Sequence, residues 1–322
     1  MNLIQTSSPH IRGKNRTDRM MADVLIALLP TTIAGVFLFG IRALFIVLIS
    51  MVSAVAGEWA YRKITKQENT IFDLSAAVTG LLLALTLPAS VPYPVAAIGS
   101  LFAVIVVKGL CGGLGQNTFN PALGARAFLV AVVPVHVTRF VEAGTKLSFT
   151  VPADAVTAAT PLHEMVMAVP PEASITDMFL GKIGGCIGEV SSIALLIGGI
   201  YLIVKKIISP HIPLAYLGSI AALTMIFNKG NNPVEWMIYS VLGGGAMLGA
   251  FFMATDYASS PVTKQGRILY GICAGALTVF FRYTGLFPEG VTYAILLMNA
   301  ATWLIDQMTI PRRFGTQKGV VK

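Results

Sequence analysis

The chain has 322 residues, 55% of them hydrophobic and 12% charged, about half the charged share of an ordinary soluble domain. A single water-soluble globule could not hide that much apolar surface, so the solvent around most of the chain is lipid. The net charge of +8 sits in short basic clusters between apolar stretches, as topology determinants do, and that distribution argues against a nucleic-acid partner.

Residues 1–22 are polar and basic, with His10, Arg12, Lys14, Arg16 and Arg19. They lack a small-residue cleavage site and read as a cytoplasmic arm, not a signal peptide. Apolar runs of about 17–22 residues mark candidate spans at 22–40, 42–60, 71–88, 93–110 and 122–138. A polar, proline-containing stretch follows at 139–183. Five more runs occupy 184–204, 211–228, 233–254, 267–286 and 290–309. The expected fold is an all-α polytopic membrane protein of about ten transmembrane helices. Its parts are the arm 1–22, a five-helix half 23–138, a loop 139–183, a second five-helix half 184–310 and a tail 311–322.

A cytoplasmic N-terminus puts Arg62, Lys63, Lys66, Lys205, Lys206, Lys264 and Arg267 inside, together with the basic arm and tail. The outside then holds the smaller set Arg42, Arg139, Lys146, Lys182, Lys229 and Arg282, with Lys108 and Arg126 at span edges. This is the positive-inside bias. Both termini are then cytoplasmic and the 139–183 loop is extracytoplasmic. An odd number of spans per half makes the halves run oppositely through the bilayer, the inverted-repeat arrangement whose ligands lie at broken helices. The stretches Gly80–Pro88 and Met253–Pro261 are the matching candidates for such breaks.

The outer loop contains Asp154-Ala-Val-Thr-Ala-Ala-Thr160-Pro-Leu162. A threonine hydroxyl among small residues is what a modifying enzyme needs in order to attach a bulky group. The same spacing also describes a helix start, with Thr160 as N-cap and Pro161 at the first helical position. Gly112–Ala122 is too rich in Gly, Asn and Pro to continue a helix through lipid, and such backbone is tolerated only where protein or a cavity covers it. Asn117 and Asn120 would share a face if that segment were helical. Their amides suit the polar edge of a ring system, or else they satisfy loosened backbone groups. Glu189, placed about one turn inside the sixth span, must face protein or water; it is either a polar partner for a ligand or ion, or a helix N-terminal acid.

Other polar residues have plainer readings. Asp256 and Asp306 end helices near basic residues. Glu58 and Asp73 flank an inner loop with Arg62, Lys63 and Lys66, where interfacial pairing accounts for them. Cys111, Cys186 and Cys273 are too few for a four-thiolate cluster, and His136, His163 and His211 lack metal-ligand spacing, so no metal is expected. Trp59, Trp236 and Trp303, near span ends, suit interfacial anchoring.

The string Asp154–Thr160 is similar to the Asp-x-x-Ser/Thr-Gly-Ala-Thr signature of proteins that carry FMN on threonine through a phosphoester. In chain order come Gly80–Pro88, Gly112–Ala122, Gly184-Gly-Cys-Ile-Gly-Glu-Val-Ser191, Met253–Pro261, Phe287–Gly290, Ala294–Asn299 and Pro311–Gly315. Together they resemble the family of the D subunit of the Rnf complex, an ion-translocating ferredoxin:NAD⁺ oxidoreductase, over essentially the whole chain. The homologous B subunit of the sodium-pumping NADH:quinone reductase is the nearest alternative, and typically has a longer N-terminal region. A urea-channel-like solute channel, the alternative of another class, gives no reason for the Asp154–Thr160 string.

The resemblance implies an electron-transfer subunit of the bacterial inner membrane, inactive alone, that couples electron flow between ferredoxin and NAD⁺ to Na⁺ or H⁺ translocation. It implies covalent FMN on Thr160, with Asp154 and Thr157 recognised by a flavin transferase, and Glu189 in the flavin environment. It further implies a noncovalent riboflavin near Asn117 and Asn120, and other Rnf subunits as partners, the G subunit above all. Two positions depart from the usual pattern: Ala158 stands for glycine in the attachment signature, and Val190 for a frequent threonine after Gly-Glu.

Overall fold

The structure is a computed structural model that describes residues 16–67, 70–145, 147–149, 160–167, 171, 173–230, 232–285 and 290–311. Among the described residues it is all-helical, with no strand and one isolated antiparallel bridge, between Pro88 and Cys186. Two long apolar helices come first, α1 (Thr17–Phe39) and α2 (Ile41–Ile64). At 1.5 Å per residue each is about 35 Å long, enough to cross a hydrocarbon core of about 30 Å. By length and composition these two are candidate spans on their own.

Most of the later elements are shorter than the expected spans because the backbone is broken inside them; the last two helices keep their full length. Helix α3 (Ser75–Leu85) has every residue buried. Helix α4 (Tyr93–Phe102) runs into a π-helical segment, Ala103–Gly109, and α5 (Pro121–Val132) and α6 (Pro134–Val137) follow. The 139–183 stretch contributes α7 (Pro161–Val166) and α8 (Ile175–Leu180). Helix α9 covers only Ser192–Val204, preceded by turns at 184–190. Then come α10 (His211–Ile226), α11 (Pro233–Leu242) and α12 (Ala246–Leu248) with a second π-helical segment, Gly249–Met253. Helix α11 and the α12 segment are bent by 60° and would make a third span if counted together. Helices α13 (Lys264–Thr284) and α14 (Val291–Thr309) complete the chain.

Packing pairs α1 with α9 and α5 with α14. Within the first half α2 packs on α3 and α4, and α4 on α5. Within the second, α10 packs on α11 and α13, and α13 on α14. Small residues allow the close approaches, as at membrane helix interfaces generally. A Cβ on Gly80 of α3 would stand 2.6 Å from the Ser50 carbonyl of α2, and one on Gly271 of α13 2.7 Å from Ala215 Cβ of α10.

Three buried arginines satisfy the carbonyls that the broken helices release. Arg42, 5% exposed, donates to the carbonyls of Ala89 (2.8 Å) and Val91 (2.8 Å), just past the end of α3, and to that of Phe149 (2.7 Å) in the 139–183 stretch. Arg282 of α13 donates to Ser240 (2.6 Å), Gly243 (3.0 Å) and Gly244 (3.3 Å), at the break between α11 and α12. Arg126 lies in the middle of α5 and donates to the Thr86 carbonyl at the C-terminus of α3. It is not at a span edge, the position expected from sequence. Trp236 likewise lies inside, 3% exposed, with Leu162 and Met165, whereas Trp59 and Trp303 are exposed as interfacial anchors would be.

Candidate functional site

The residues singled out by sequence fall at two ends of the molecule. At one end lies a cavity partly open to the surroundings. It lies where α1, α3, α5 and α9 meet the second π-helical segment. Its walls include Leu82, Leu202, Phe251 and Phe252, and its polar lining includes Ser75, Lys108, Asn117, Asn120 and Asp256. Apolar walls with a few placed polar groups are the pattern of small-molecule sites.

Asn117 and Asn120 do meet at this cavity, but not on a shared helix face. Gly112, Gly113 and Gly115 take φ of 106°, 97° and 84°, so the segment is a chain of turns. Asn120 is the N-cap of α5: its Oδ1 accepts from the N–H groups of Ala122 (3.0 Å) and Leu123 (3.3 Å). Its Nδ2 donates to the Met253 carbonyl (3.2 Å), released by the π-helical segment. Asn117 Nδ2 donates to the Phe119 carbonyl (3.0 Å) and to Asp256 (3.4 Å). Satisfying loosened backbone is therefore part of what both asparagines do, and both still line the cavity.

Asp256 is not the solvated end-of-helix acid that its basic neighbours in sequence suggested. It lies past the last turn of the 249–253 segment and accepts from Ser259 Oγ (3.0 Å) and Asn117. Burial pushes its carboxyl above the usual range, while hydrogen bonds from Ser259, the Ala258 N–H, Asn117 and the Tyr257 N–H pull it back. Lys108, in the first π-helical segment, is 3% exposed. Its Nζ lies 2.7 Å from Glu58 Oε1 and 2.6 Å from Ser75 Oγ, and Ser75 in turn donates to Asp73. Glu58 thus finds its main partner across the fold rather than in the loop lysines next to it, with Arg62 at 3.6 Å as a second cation. Lys108 was invisible to sequence reasoning because it looked like an edge residue; the cue lay in a lone cation within an apolar run ending in Gly109.

At the opposite end lie Thr160 and Glu189. Thr160 is half-buried and directly precedes α7, where Pro161 takes the first helical position and the Thr160 carbonyl accepts from the Glu164 N–H (3.4 Å). Asp154, Thr157 and Ala158 lie outside the described residues. Leu162 rests against Gly244 and Glu189 against Gly245, two glycines whose φ of 59° and 68° form the break between α11 and α12. A Cβ at either would overlap those side chains.

Glu189 is not inside a helix. It sits in a turn, its N–H bonded to the Cys186 carbonyl (3.1 Å), and the N-cap of α9 is Ser191, which accepts from the Ala194 N–H. Glu189 pairs with Arg126 at 3.5 Å, and the same guanidinium lies 3.6 Å from Cys186 Sγ. Val190 is buried against Gly181. The 186–188 stretch also bonds to the end of α3, Ile187 N–H to Leu87 carbonyl (3.0 Å) and Gly188 N–H to Leu85 carbonyl (2.8 Å). Arg126 therefore stands between the cavity side of α5 and the Glu189 side of the fold.

Residues 4–315 match the sequence profile of the NQR2, RnfD, RnfE family. The chain belongs to this family. It is 47% identical to the D subunit of the Na⁺-translocating ferredoxin:NAD⁺ oxidoreductase complex of Acetobacterium woodii, over 99% of this chain and 97% of that one. It is 42% identical to the D subunit of the proton-translocating ferredoxin:NAD⁺ oxidoreductase complex of Clostridium ljungdahlii, over 97% and 96%. It is 36% identical to the D subunit of the ion-translocating oxidoreductase complex of Stutzerimonas stutzeri, over 94% and 93%.

Proposed function

We propose that the chain is the electron-carrying D subunit, in the membrane, of an ion-translocating ferredoxin:NAD⁺ oxidoreductase, with FMN esterified to Thr160 and riboflavin bound noncovalently beside Asn117 and Asn120. End-to-end similarity to relatives that bear this name carries the reading. A bound flavin supplies the redox chemistry; the chain's residues hold it, tune it and exclude water. In the cavity the side-chain oxygen of Asn117 has no hydrogen-bond partner among the described residues and is open to accept from a ring N–H. The Lys108 ammonium is a buried cation on the same lining, suited to offset negative charge gained on reduction. Leu82, Phe251 and Phe252 supply apolar faces for a flat ring.

On this reading the loop with Asp154, Thr157 and Thr160 is the substrate of a flavin transferase on the outer face of the inner membrane. The G subunit, with its own threonine-linked FMN, is the nearest redox partner among the other Rnf subunits. Both termini are cytoplasmic, and ten spans form two inverted five-helix repeats coupling electron flow to Na⁺ or H⁺ movement. In support, α2 contacts α3 and α4 as α10 contacts α11 and α13, and α1 meets α9 as α5 meets α14. Both halves also carry a π-helical segment facing the cavity, at Ala103–Gly109 and Gly249–Met253, and such segments are frequent at functional sites.

The test is a denaturing gel under ultraviolet light, using the complex matured with its flavin transferase. The band of this chain fluoresces, and Thr160→Val removes the fluorescence from that band alone. A dark wild-type band after maturation defeats the redox reading.

A further inference from the structure

A second pocket opens beside the first at the same end of the molecule and shares Ile207, Ile208, Thr255 and Tyr257 with it. About 940 Å³ of space lies inside it, part of it open to the surroundings. None of the asparagine or carboxylate side chains of the first cavity lines it. Instead it carries two cations, Lys206 and Arg267, with the hydroxyl-bearing residues Ser209 and Ser260. Its lining also includes the apolar Ile203, Ile207, Ile208 and Ile212, and the neighbouring Val204 (73% exposed) and Leu214 (69%) are exposed.

The two lysines that end α9 differ. Lys205 is committed: its ammonium lies 3.8 Å from Asp23 and over the Tyr201 ring. Lys206 makes no side-chain hydrogen bond or ion pair among the described residues. It also occupies the left-handed position that closes α9, φ 58°, with the Ile207 N–H bonded back to the Leu202 carbonyl at 2.9 Å. Glycine is the usual occupant of that position. A lysine there is disfavoured by its backbone, and what it adds is an unneutralised ammonium on the pocket. Arg267 is partly used, its Nε donating to the Pro261 carbonyl (3.0 Å). Helix α10 starts on the same rim without a side-chain cap, so its first-turn N–H groups add to the positive field.

From this geometry we infer that the Lys206–Arg267 pocket binds a phosphate-bearing anion, and that its ligand in the membrane is the headgroup of an anionic phospholipid. Two cations and hydroxyls lining one pocket suit a phosphate. The isoleucine lining, with the neighbouring exposed Val204 and Leu214, suits the start of an acyl chain, as in basic pockets between membrane helices. The inference needs only that the chain sits in a bilayer and is independent of the flavin assignments.

The test uses the intact complex washed extensively in neutral detergent. Phospholipid retained per complex is measured by mass spectrometry for wild type, Lys206→Gln, Lys206→Gly and, as a control at the other end of the fold, Lys229→Gln. Wild type and Lys229→Gln retain phosphatidylglycerol or cardiolipin; both Lys206 variants retain about fivefold less, as for loss of one cation at a membrane surface. Lys206→Gly separates binding from folding: glycine fits the left-handed position better, so with lipid stripped from both the variant unfolds at no lower temperature than wild type, while it retains less lipid. In the second arm, thermal unfolding is followed with phosphatidylglycerol micelles, phosphatidylcholine micelles or inorganic phosphate added. Stabilisation by phosphatidylglycerol alone, lost in the Lys206 variants, supports the lipid headgroup. An equal, Lys206-dependent shift with inorganic phosphate keeps the phosphate site but overturns its lipid source. Lipid retention and thermal shifts unaltered in both Lys206 variants overturn the inference.

Discussion

Arg282→Met tests the idea that buried guanidinium groups hold the broken helices together. Arg282 is 2% exposed and donates to three carbonyls, of Ser240, Gly243 and Gly244, at the break between α11 and α12. Methionine roughly keeps the volume of the stem but leaves those acceptors without a donor, in a place water does not reach. An orphaned buried acceptor costs about 1–3 kcal/mol, so even the low end for all three gives about 3 kcal/mol. Arg282→Lys keeps the charge but replaces a planar fork by a single ammonium, and about 1–2 kcal/mol of loss is expected because fewer of the three carbonyls are reached. Leu162 and Glu189 rest on Gly244 and Gly245, so loosening the break also disturbs the support of Thr160. The assay is denaturant or thermal unfolding of the purified complex in detergent, with in-gel flavin fluorescence of this chain measured in parallel. A loss below about 1 kcal/mol for Arg282→Met would refute the reasoning, since it would mean that the carbonyls find other donors.

Three further outcomes follow from the same geometry. Asn117→Ala combined with Asn120→Ser, which keeps an N-cap side chain and so avoids the cap loss of about 1 kcal/mol, should lower extractable riboflavin while Thr160-linked fluorescence persists; unchanged riboflavin content removes the cavity from the flavin reading. Glu58→Gln or Lys108→Met alone should each destabilise by about 3–5 kcal/mol by stranding a buried charge, whereas the double substitution should cost less than the sum; strict additivity in unfolding measurements would show that the 2.7 Å pair is not a coupled unit. Gly245→Ala should cost about 1–2 kcal/mol from its left-handed backbone alone, plus overlap with the Glu189 carboxylate; in a Glu189→Ala background the overlap part should vanish, and an undiminished cost in that background would show that backbone alone sets it.

Composition and hydrophobic runs were enough to place a helical membrane protein, because burial in lipid leaves a signal in every residue of a span. Helix lengths were not legible to the same degree. The run 184–204 is continuous in hydrophobicity, yet the helix starts only at Ser192, because Cys186–Gly188 pairs with the end of α3 instead. Nothing local to 184–191 announces a partner about 100 residues earlier in the chain; only the glycines at 184, 185 and 188 hint that it is not regular helix. The same limit explains Lys108, Arg126 and Asp256. Each looked like an end-of-span charge solvated by the interface, because sequence gives distance along the chain and not which broken helix it will face. The density of Gly, Asn and Pro around Asn117 and Asn120 marks irregular backbone there, and the two residues converge through turns and an N-cap and not through a shared helix face.

The breaks themselves carry an argument about design. A membrane helix that runs straight satisfies its own backbone, and interrupting it inside hydrocarbon strands carbonyls that cost several kcal/mol each unless something donates to them. This chain interrupts its helices after α3, before α5, before α9 and between α11 and α12, and supplies Arg42, Arg126, Arg282 and Asn120 to compensate. Buried arginines are expensive in their own right, so packing alone does not explain the arrangement: continuous apolar helices would pack at lower cost. What the breaks create is polar, protein-walled space at the Asn117–Asp256 end and a rigid seat for α7 at the Thr160–Glu189 end. Arg126 binds the end of α3 and, through Glu189, the turn before α9, so the two halves of the chain are tied by directed polar contacts and not only by apolar area. Sliding of one half on the other must therefore break the Arg126–Glu189 ion pair together with the backbone hydrogen bonds from Ile187 and Gly188 to the end of α3.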